Sequence, residues 1–418
     1  MDLEKYSFGI GDRFGQEGRA QLAALQKARD QNIAITPVWN KSYREHSIIG
    51  TSPLDARSEA EVAVRESGWR QSYFVDADHI GLATVDQFLA SSDFFTIDVA
   101  DFIGTAQDDS AADILVGLMR KHIRTIPLPG SERALTITTG LVKTFAAQYM
   151  HAVKEAARVY RHIAERKNGT PFVTEVSFDE ATVAQSPEEL FLILATLADE
   201  GVPIQTIAPK FVGQFLKGID YVGNLEEFSL QFDLDAAVIR CAIELCGLPA
   251  TLKLSVHSGS DKFSLYPSIR HTLKKHGIGL HVKTAGTTWL EELIGLAEPG
   301  GEGLRFAKMV YTESLSRYDI LVKPYLSVVR IDQSRLPSPE TVSQWSGEHF
   351  AASLRHDQTS SLYNSDLRQL LHVGYRIAAE QGAHYRELLK EHRALVERNV
   401  TENLYRRHIV PLFGDEPS

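Results

Sequence analysis

The order of apolar runs in this sequence predicts an α/β fold: a (β/α)8 TIM-type barrel with a helical insertion after the fourth strand and a C-terminal helical appendage. Three observations carry that reading. Short apolar runs alternate with stretches of helical period eight times over about 290 residues. Most runs end at an ionisable residue, where barrel enzymes place their chemistry. The rival fold, an open doubly wound sheet, calls for a glycine-rich phosphate loop after its first strand. Gly9-Ile10-Gly11-Asp12-Arg13-Phe14-Gly15 matches that loop only loosely, and no acidic residue ends the second strand.

Taken in order, the predicted strands are Tyr6–Gly11, Ile33–Trp39 and Ser72–Val75, the last running into Asp76-Ala77-Asp78-His79. Phe94–Ile97, ending at Asp98, is the fourth. The insertion, about residues 102–170, has its clearest helices at Ala111–His122 and Leu141–Arg166 and is stopped by Gly169-Thr170-Pro171. Phe172–Phe178, Ile204–Ala208, the stretch opening at Leu252 and Gly279–Thr284 complete the eight. Residues 1–300 form the predicted catalytic barrel. Residues 301–418 form a helical region with helix Leu304–Ser316, a Pro/Ser-punctuated stretch and a long amphipathic run from Leu367 to His408. That region has no strand series, and packing on the barrel, covering its mouth or forming an oligomer contact are the roles open to it.

Composition narrows the function classes. The chain has 418 residues, 43% of them hydrophobic and 23% charged, with 44 basic against 54 acidic side chains and a net charge of −10. An acidic balance argues against a nucleic-acid partner. No apolar run approaches the roughly 20 residues of a membrane span. The first residues, MDLEKYSFGIGDRFG, lack the layout of a signal peptide, so a cytoplasmic protein is expected. Cys241 and Cys246 lie five residues apart in one helical stretch, a spacing that suits neither a disulfide nor a zinc knuckle.

The stretch LKLSVHSGSDKFSLYP, Leu252 to Pro267, concentrates the chemistry. Leu252, Leu254 and Val256 share one face of a strand, and Lys253, Ser255 and His257 share the other. The same alternation turns Asp76, Asp78, Asp98, Glu175, Ser177, Lys210, His281 and Lys283 toward the barrel interior or its mouth. Burying so many charges is unfavourable unless they pair, bind a metal or face a wet cavity. Asp78-His79 at a strand end, with His257 across the barrel, is the arrangement in which one residue holds a cation while its neighbour handles a proton. A chance surface dipeptide is the plain alternative. His281 begins its strand and reads as a packed, hydrogen-bonded histidine. The histidines 122, 151, 162, 372, 384, 392 and 408 lie in helices without metal spacing.

Lys210, Lys262, Lys283, Arg13 and Arg44 are candidates to hold an anionic substrate. Lys253 and Lys283 are also open to Schiff-base chemistry, with a Lys–Asp pair inside the barrel as the alternative. Neither a nucleophile elbow, a Walker loop nor an HExxH sequence occurs, and no nucleotide cofactor is expected.

The segments FGIGDRFG, DADH, FTIDVAD, TEVSFDE, KFVGQFLKGIDY, SVHSGSDKFSLYP, HVKTAGT and ENLYRRHIVPLF together resemble the tagaturonate epimerase family over nearly the whole chain. The resemblance implies a metal-dependent epimerase interconverting D-tagaturonate and D-fructuronate. It implies Asp78 as general base, Glu175 as general acid, and His79, Gln214 and His257 as ligands of a divalent cation (zinc, manganese, nickel or iron). Asp12, Arg13, Lys210, Ser258, Ser260, Asp261, Lys262 and Lys283 are the expected substrate contacts. The inverted carbon lies two bonds from the ketone, so simple enolisation does not reach it; cleavage and re-formation of the C–C bond does. A metal-dependent aldolase or isomerase of another ketose or sugar acid is the alternative enzyme. A non-catalytic sugar-acid sensor is the alternative of a different class.

Overall fold

The computed structural model of the protein describes residues 3–105, 110–258, 261–284 and 287–414. Its barrel strands are β1 (Tyr6–Ile10), β2 (Ile35–Ser42), β3 (Phe74–Ile80), β4 (Phe94–Asp98), β7 (Val173–Ser177), β8 (Thr206–Ala208), β9 (Lys253–His257) and β10 (Leu280–Lys283). Between β4 and β7 lies a small antiparallel hairpin, β5 (Thr125–Pro127) with β6 (Ala134–Thr136). The eight strands close in chain order, all parallel, β10 pairing with β1. The TIM-type barrel is therefore the fold. All eight predicted strands lie within a few residues of their expected places.

Burial on both faces explains the run-like strands. The outward side chains, such as Val75, Ala77, Phe95, Ile97, Val176 and Ile207, join one large apolar core with the surrounding helices. At the base of the barrel Phe74, Phe94, Val38 and Val173 form a separate plug. The rest of the interior is polar from the base upward. Lys253 Nζ donates to the carbonyl oxygens of Glu4 and Lys5, and His281 Nδ1 lies 2.9 Å from Ser7 Oγ. Burial holds the His281 imidazole down at about 3, so it stays neutral among its neighbours.

The insertion carries a helix, Thr139–Lys167, capped by the Thr138 side chain at one end and by Asn168 in the left-handed region (φ 45°) at the other. Val142, Phe145, Ala146, Tyr149, Met150, Val153, Ala156 and Ala157 recur at intervals of three and four and are all buried. The β5–β6 hairpin was not among the expectations: three-residue strands leave no alternation to read.

The C-terminal region is helical throughout, yet the long run expected from Leu367 to His408 is broken into segments. Ser365–Val373 ends at Gly374, Tyr375–Gln381 at Gly382, and Ala383–Glu391 at His392. Gly374 is demanded by a close approach, since a Cβ there would sit 2.5 Å from Ser314 Oγ. Asn403–Ile409 winds as a π-helix. Leu367, Leu370, Leu371 and Tyr385 share an apolar core with Trp289, Leu290 and Leu293 of the last barrel helix, Thr287–Ala297. Among the described residues no helix is long and apolar enough to cross a membrane.

Candidate active site

Strand ends bring the ionisable residues together around Lys283, at the top of β10. Gly9 on β1 makes room for it, because a Cβ there would lie 2.8 Å from Lys283 Cγ. Lys283 Nζ stands 2.8 Å from Asp76 Oδ2, 2.9 Å from Asp78 Oδ1 and 2.9 Å from Glu175 Oε1. Thr96 Oγ1 bridges Asp76 and Glu175, and Thr206 Oγ1 donates to Glu175 Oε2 at 2.7 Å. One ammonium thus serves three carboxylates in a buried setting.

The charges sort accordingly. Burial pushes the Asp76 carboxyl up to about 7 against the pull of Lys283, with Asp78 and Glu175 repelling its charge. Burial also works against ionised Asp78, but Lys283 and His79 outweigh it and hold that carboxyl at about 2. Glu175 is likewise buried, and Lys283 and His257 carry it well below the usual range.

Two histidines stand beside this cluster. β3 carries one extra residue between Ala77 and Ile80 relative to β4, and His79 sits in that bulge with φ 51°. A bulge re-aims the side chain it carries, and a non-glycine residue in the left-handed region is held there by its surroundings. His79 Nδ1 is 2.9 Å from Asp98 Oδ2. His257, ending β9, places Nε2 2.8 Å from Glu175 Oε1 and Nδ1 3.2 Å from Asp179 Oδ2. The imidazole rings meet edge to face, centroids 5.3 Å apart. One ligand atom each from His79, Asp179 and His257 lie within 4.8 Å of one another, as do atoms of His79, Asp98 and Glu180. Burial disfavours charge on His257, yet Asp179 and Glu175 hold it up at about 9. His257 Nδ1 nonetheless makes no hydrogen bond. An orphaned imidazole nitrogen facing a carboxylate, with a second imidazole alongside, is a donor set that fits a divalent cation.

Several expected contacts are otherwise engaged. Gln214 pairs with Val222 across a turn, and its Oε1 accepts from Arg330 Nε at 2.9 Å. The carboxylate beside the two histidines is Asp179, which the sequence reading passed over. The signal was available, since Asp179 continues the inward alternation of Glu175 and Ser177. Asp12 caps the turn before helix Gly18–Arg29, accepting from the Gly15 and Glu17 amides. Arg13 pairs with Glu45, donates to the His372 carbonyl and lies 4.0 Å over the Tyr375 ring. Lys210 Nζ donates to the Asp179 carbonyl, and Lys262 Nζ to those of Leu216 and Ile219. Ser258 Oγ braces β10 at the Lys283 carbonyl.

Asp261 is fully buried, with Arg368 Nη2 at 2.7 Å and His356 Nδ1 at 3.0 Å on Oδ2, and Thr287 Oγ1 and His408 Nε2 on Oδ1. These engagements have one cause: a buried polar group must be paired, and the protein itself supplies the partner. Lys283 belongs to the carboxylate cluster rather than standing as a free anion seat. Ser260 lies outside the described residues.

A family model described as UxaE, tagaturonate epimerase, matches residues 1–410. A tagaturonate/fructuronate epimerase of Thermotoga maritima is 27% identical over 425 residues, covering 98% of this chain and 81% of that protein. Among solved structures, the native fructuronate-tagaturonate epimerase UxaE of Cohnella laeviribosi superposes with a TM-score of 0.81 at 23% identity, covering 99% of this chain and 82% of that one. A glycerol complex of the same enzyme gives 0.78 at 24% identity over 97% and 81%. These structures show that the barrel with its surrounding helices is a shared fold. With the family match running over nearly its whole length, the chain is an epimerase of the carbohydrate-isomerase class and belongs to the tagaturonate epimerase family.

Proposed function

We propose that the chain interconverts D-tagaturonate and D-fructuronate by cleaving and re-forming one carbon–carbon bond, with a divalent cation bound at His79, His257 and Asp179. The observation that carries this reading is the placement of a two-histidine, one-carboxylate set beside Asp78 and Glu175, both within 2.9 Å of the same Lys283 ammonium. Bound there, the cation would supply Lewis-acid polarisation of the ketone.

The protein's own groups handle the proton. Asp78, held ionised by Lys283 and His79, takes the proton from the hydroxyl on the carbon to be inverted. As that oxygen becomes a carbonyl, the neighbouring C–C bond breaks and its electron pair passes into an enediolate of the ketone fragment. The aldehyde turns over, the bond re-forms on its other face, and the new alkoxide is protonated from the Glu175 side. Glu175 is itself ionised beside Lys283 and His257, so the proton it delivers is the one Asp78 took, relayed through Lys283, which is hydrogen-bonded to Asp78 and in contact with Glu175. Asp76, poised at about 7 on the same ammonium, adds a group that both binds and releases a proton near neutrality. In the same reading residues 301–418 act as a brace on the barrel mouth, through Arg368, His356 and His408 on Asp261.

The test follows D-tagaturonate by NMR in deuterated water, first with metal-stripped protein and then with zinc, manganese, nickel and iron restored in turn. Fructuronate is expected to appear only after metal is restored, with hydrogen retained at the inverted carbon. Deuterium at that carbon would rule out bond cleavage as the route. Accumulating fragments would move the assignment to an aldolase, and no fructuronate with any metal would overturn the substrate.

A further inference from the structure

Most basic side chains around the barrel mouth are already committed. Arg13 is held by Glu45, Lys41 by Glu59, Lys210 by the Asp179 carbonyl, Lys262 by two carbonyls and Lys283 by three carboxylates. Two are different. Lys217, in the loop after β8, donates no side-chain hydrogen bond and joins no ion pair among the described residues; its Nζ lies 5.5 Å from the Tyr325 ring centroid. Arg44, in helix Tyr43–Ile49 after β2, likewise has only that ring, with Cζ at 5.9 Å.

The ring is a fixed platform, because the Tyr325 hydroxyl is tied to that of Tyr375 at 2.9 Å in the buried interior. Burial lowers the Lys217 ammonium, and the charges it feels are Arg13, Glu45, Glu180 and Arg44. Glu45 is neutralised by Arg13. Glu180 is the link to the reaction centre, since its carboxylate lies within 4.8 Å of ligand atoms of His79 and Asp98. A desolvated ammonium and a guanidinium that share one aromatic ring, at 5.5 and 5.9 Å from its centroid and with no carboxylate in ion-pair contact among the described residues, form a seat for an anion.

We propose that Lys217 and Arg44, seated on Tyr325, hold the carboxylate of the sugar-acid substrate, placing its chain across Glu180 toward the histidine pair. The proposal rests on the sugar-acid reading above and adds a consequence to it. In a ketohexuronate the carboxylate belongs to the fragment that becomes the aldehyde. Anchoring it keeps that fragment in place while the aldehyde turns, so the same two cations select acids over neutral ketoses and suppress loss of the cleaved fragment.

The experiment measures binding of D-tagaturonate and of neutral D-tagatose by calorimetry to the full-length wild type, K217M, R44M and the charge-preserving K217R. Loss of a charge-assisted contact weakens binding by about tenfold or more. That loss is expected for the acid in K217M and R44M, with tagatose unaffected and K217R close to wild type. Arg44 is exposed, so R44M reports even where a change at Lys217 perturbs folding. Turnover of the same proteins is read by NMR, where K217M and R44M should release more aldehyde fragment per epimerisation than wild type. Wild-type affinity for the acid in both charge-removing variants overturns the proposal, as does an equal loss for tagatose or a wild type that binds no acid. A wild type that binds the acid through Lys217 but does not epimerise it would instead remove the proposed reaction and leave the anion seat standing.

Discussion

Two buried carboxylate centres lie near the ends of neighbouring strands of this barrel, one around Lys283 of β10 and one around Asp261 just after β9, and are built on opposite principles. Around Lys283, three carboxylates share one ammonium, two imidazoles stand alongside, and one imidazole nitrogen lacks a hydrogen bond. Around Asp261, a single carboxylate receives a guanidinium, two imidazoles and a hydroxyl. The first is short of positive charge and opens at strand ends toward the mouth. The second is balanced, closed and made largely of C-terminal residues. Burial and charge alone therefore do not mark a reaction centre; an unmet electrostatic demand does. Asp261 sits four positions beyond His257, so a site and a brace stand side by side in one short segment.

The sharpest way to break the comparison is to remove charge from each centre in turn. At the Lys283 centre, Asp78→Asn and Glu175→Gln should leave a folded protein whose turnover falls by roughly 10²–10⁴-fold, the span usual for loss of general acid–base catalysis. Turnover is read as fructuronate formed from D-tagaturonate by NMR, and folding by urea titration. Both carboxyls are held ionised by Lys283 and the neighbouring imidazoles, so each substitution also costs stability at neutral pH, which the urea titration reads separately from turnover. Near-normal turnover in both variants would show that these carboxyls serve only to balance Lys283.

At the other centre the expected loss is in stability. Asp261→Asn leaves the Arg368 guanidinium buried beside a neutral amide, and breaking a buried pair costs about 3–5 kcal/mol. The pH dependence fixes the cause. Burial disfavours ionised Asp261, but Arg368 and the hydrogen bonds from His356 and His408 bring it well below the ordinary carboxylate value. A depressed folded pKa contributes stability that is present above the unfolded value near 4 and lost as pH falls through the folded value. Urea midpoints of wild type and Asp261→Asn should therefore differ most at neutral pH and draw together in strong acid. Equal midpoints at pH 7 would mean that the C-terminal helices hold the barrel through apolar contacts alone.

The same contrast shows how much of the molecule can be read before its structure. The barrel was legible because both faces of each strand are buried, so the strands appear as apolar runs, most of them with an ionisable end. Asp78, Glu175, His257 and Lys283 were legible for the same reason: their parity places them inside; His79 has the opposite parity, stood out only as the neighbour of Asp78, and reaches the site through the bulge. Asp179 obeys that parity but lies past the strand end, where alternation is no longer trusted. The partners of Gln214, Asp261 and Lys262 were not legible, because a motif records which residues occur together and not which partner each one faces. Lys217 left no local trace, since its distinction is an absent partner contributed by no neighbouring residue. The breaks in the C-terminal helix depend on Ser314 meeting Gly374 sixty residues later, a contact no local period encodes.

A third carboxylate carries the comparison to its limit. Asp235, inside helix Leu225–Cys246, is buried with both oxygens unpartnered. Gln231, one turn earlier, has its carboxamide committed to the Val212 amide and the Lys210 carbonyl. With no cation to oppose it, burial raises the Asp235 carboxyl well above its usual value. A raised folded pKa means that the fold prefers the protonated form: stability is greatest below the unfolded value near 4 and declines as pH rises toward the folded one. Asp235→Leu replaces the unsatisfied group by an apolar one of the same branching and should stabilise the protein by about 1 kcal/mol at pH 8, with the gain shrinking toward pH 4. Urea titrations across that range measure it. A gain independent of pH would mean that packing is responsible, and a loss would mean that Asp235 is satisfied by bound water. The three carboxylate centres would then be ordered by supplied counter-charge alone: none at Asp235, too little at Lys283, enough at Asp261.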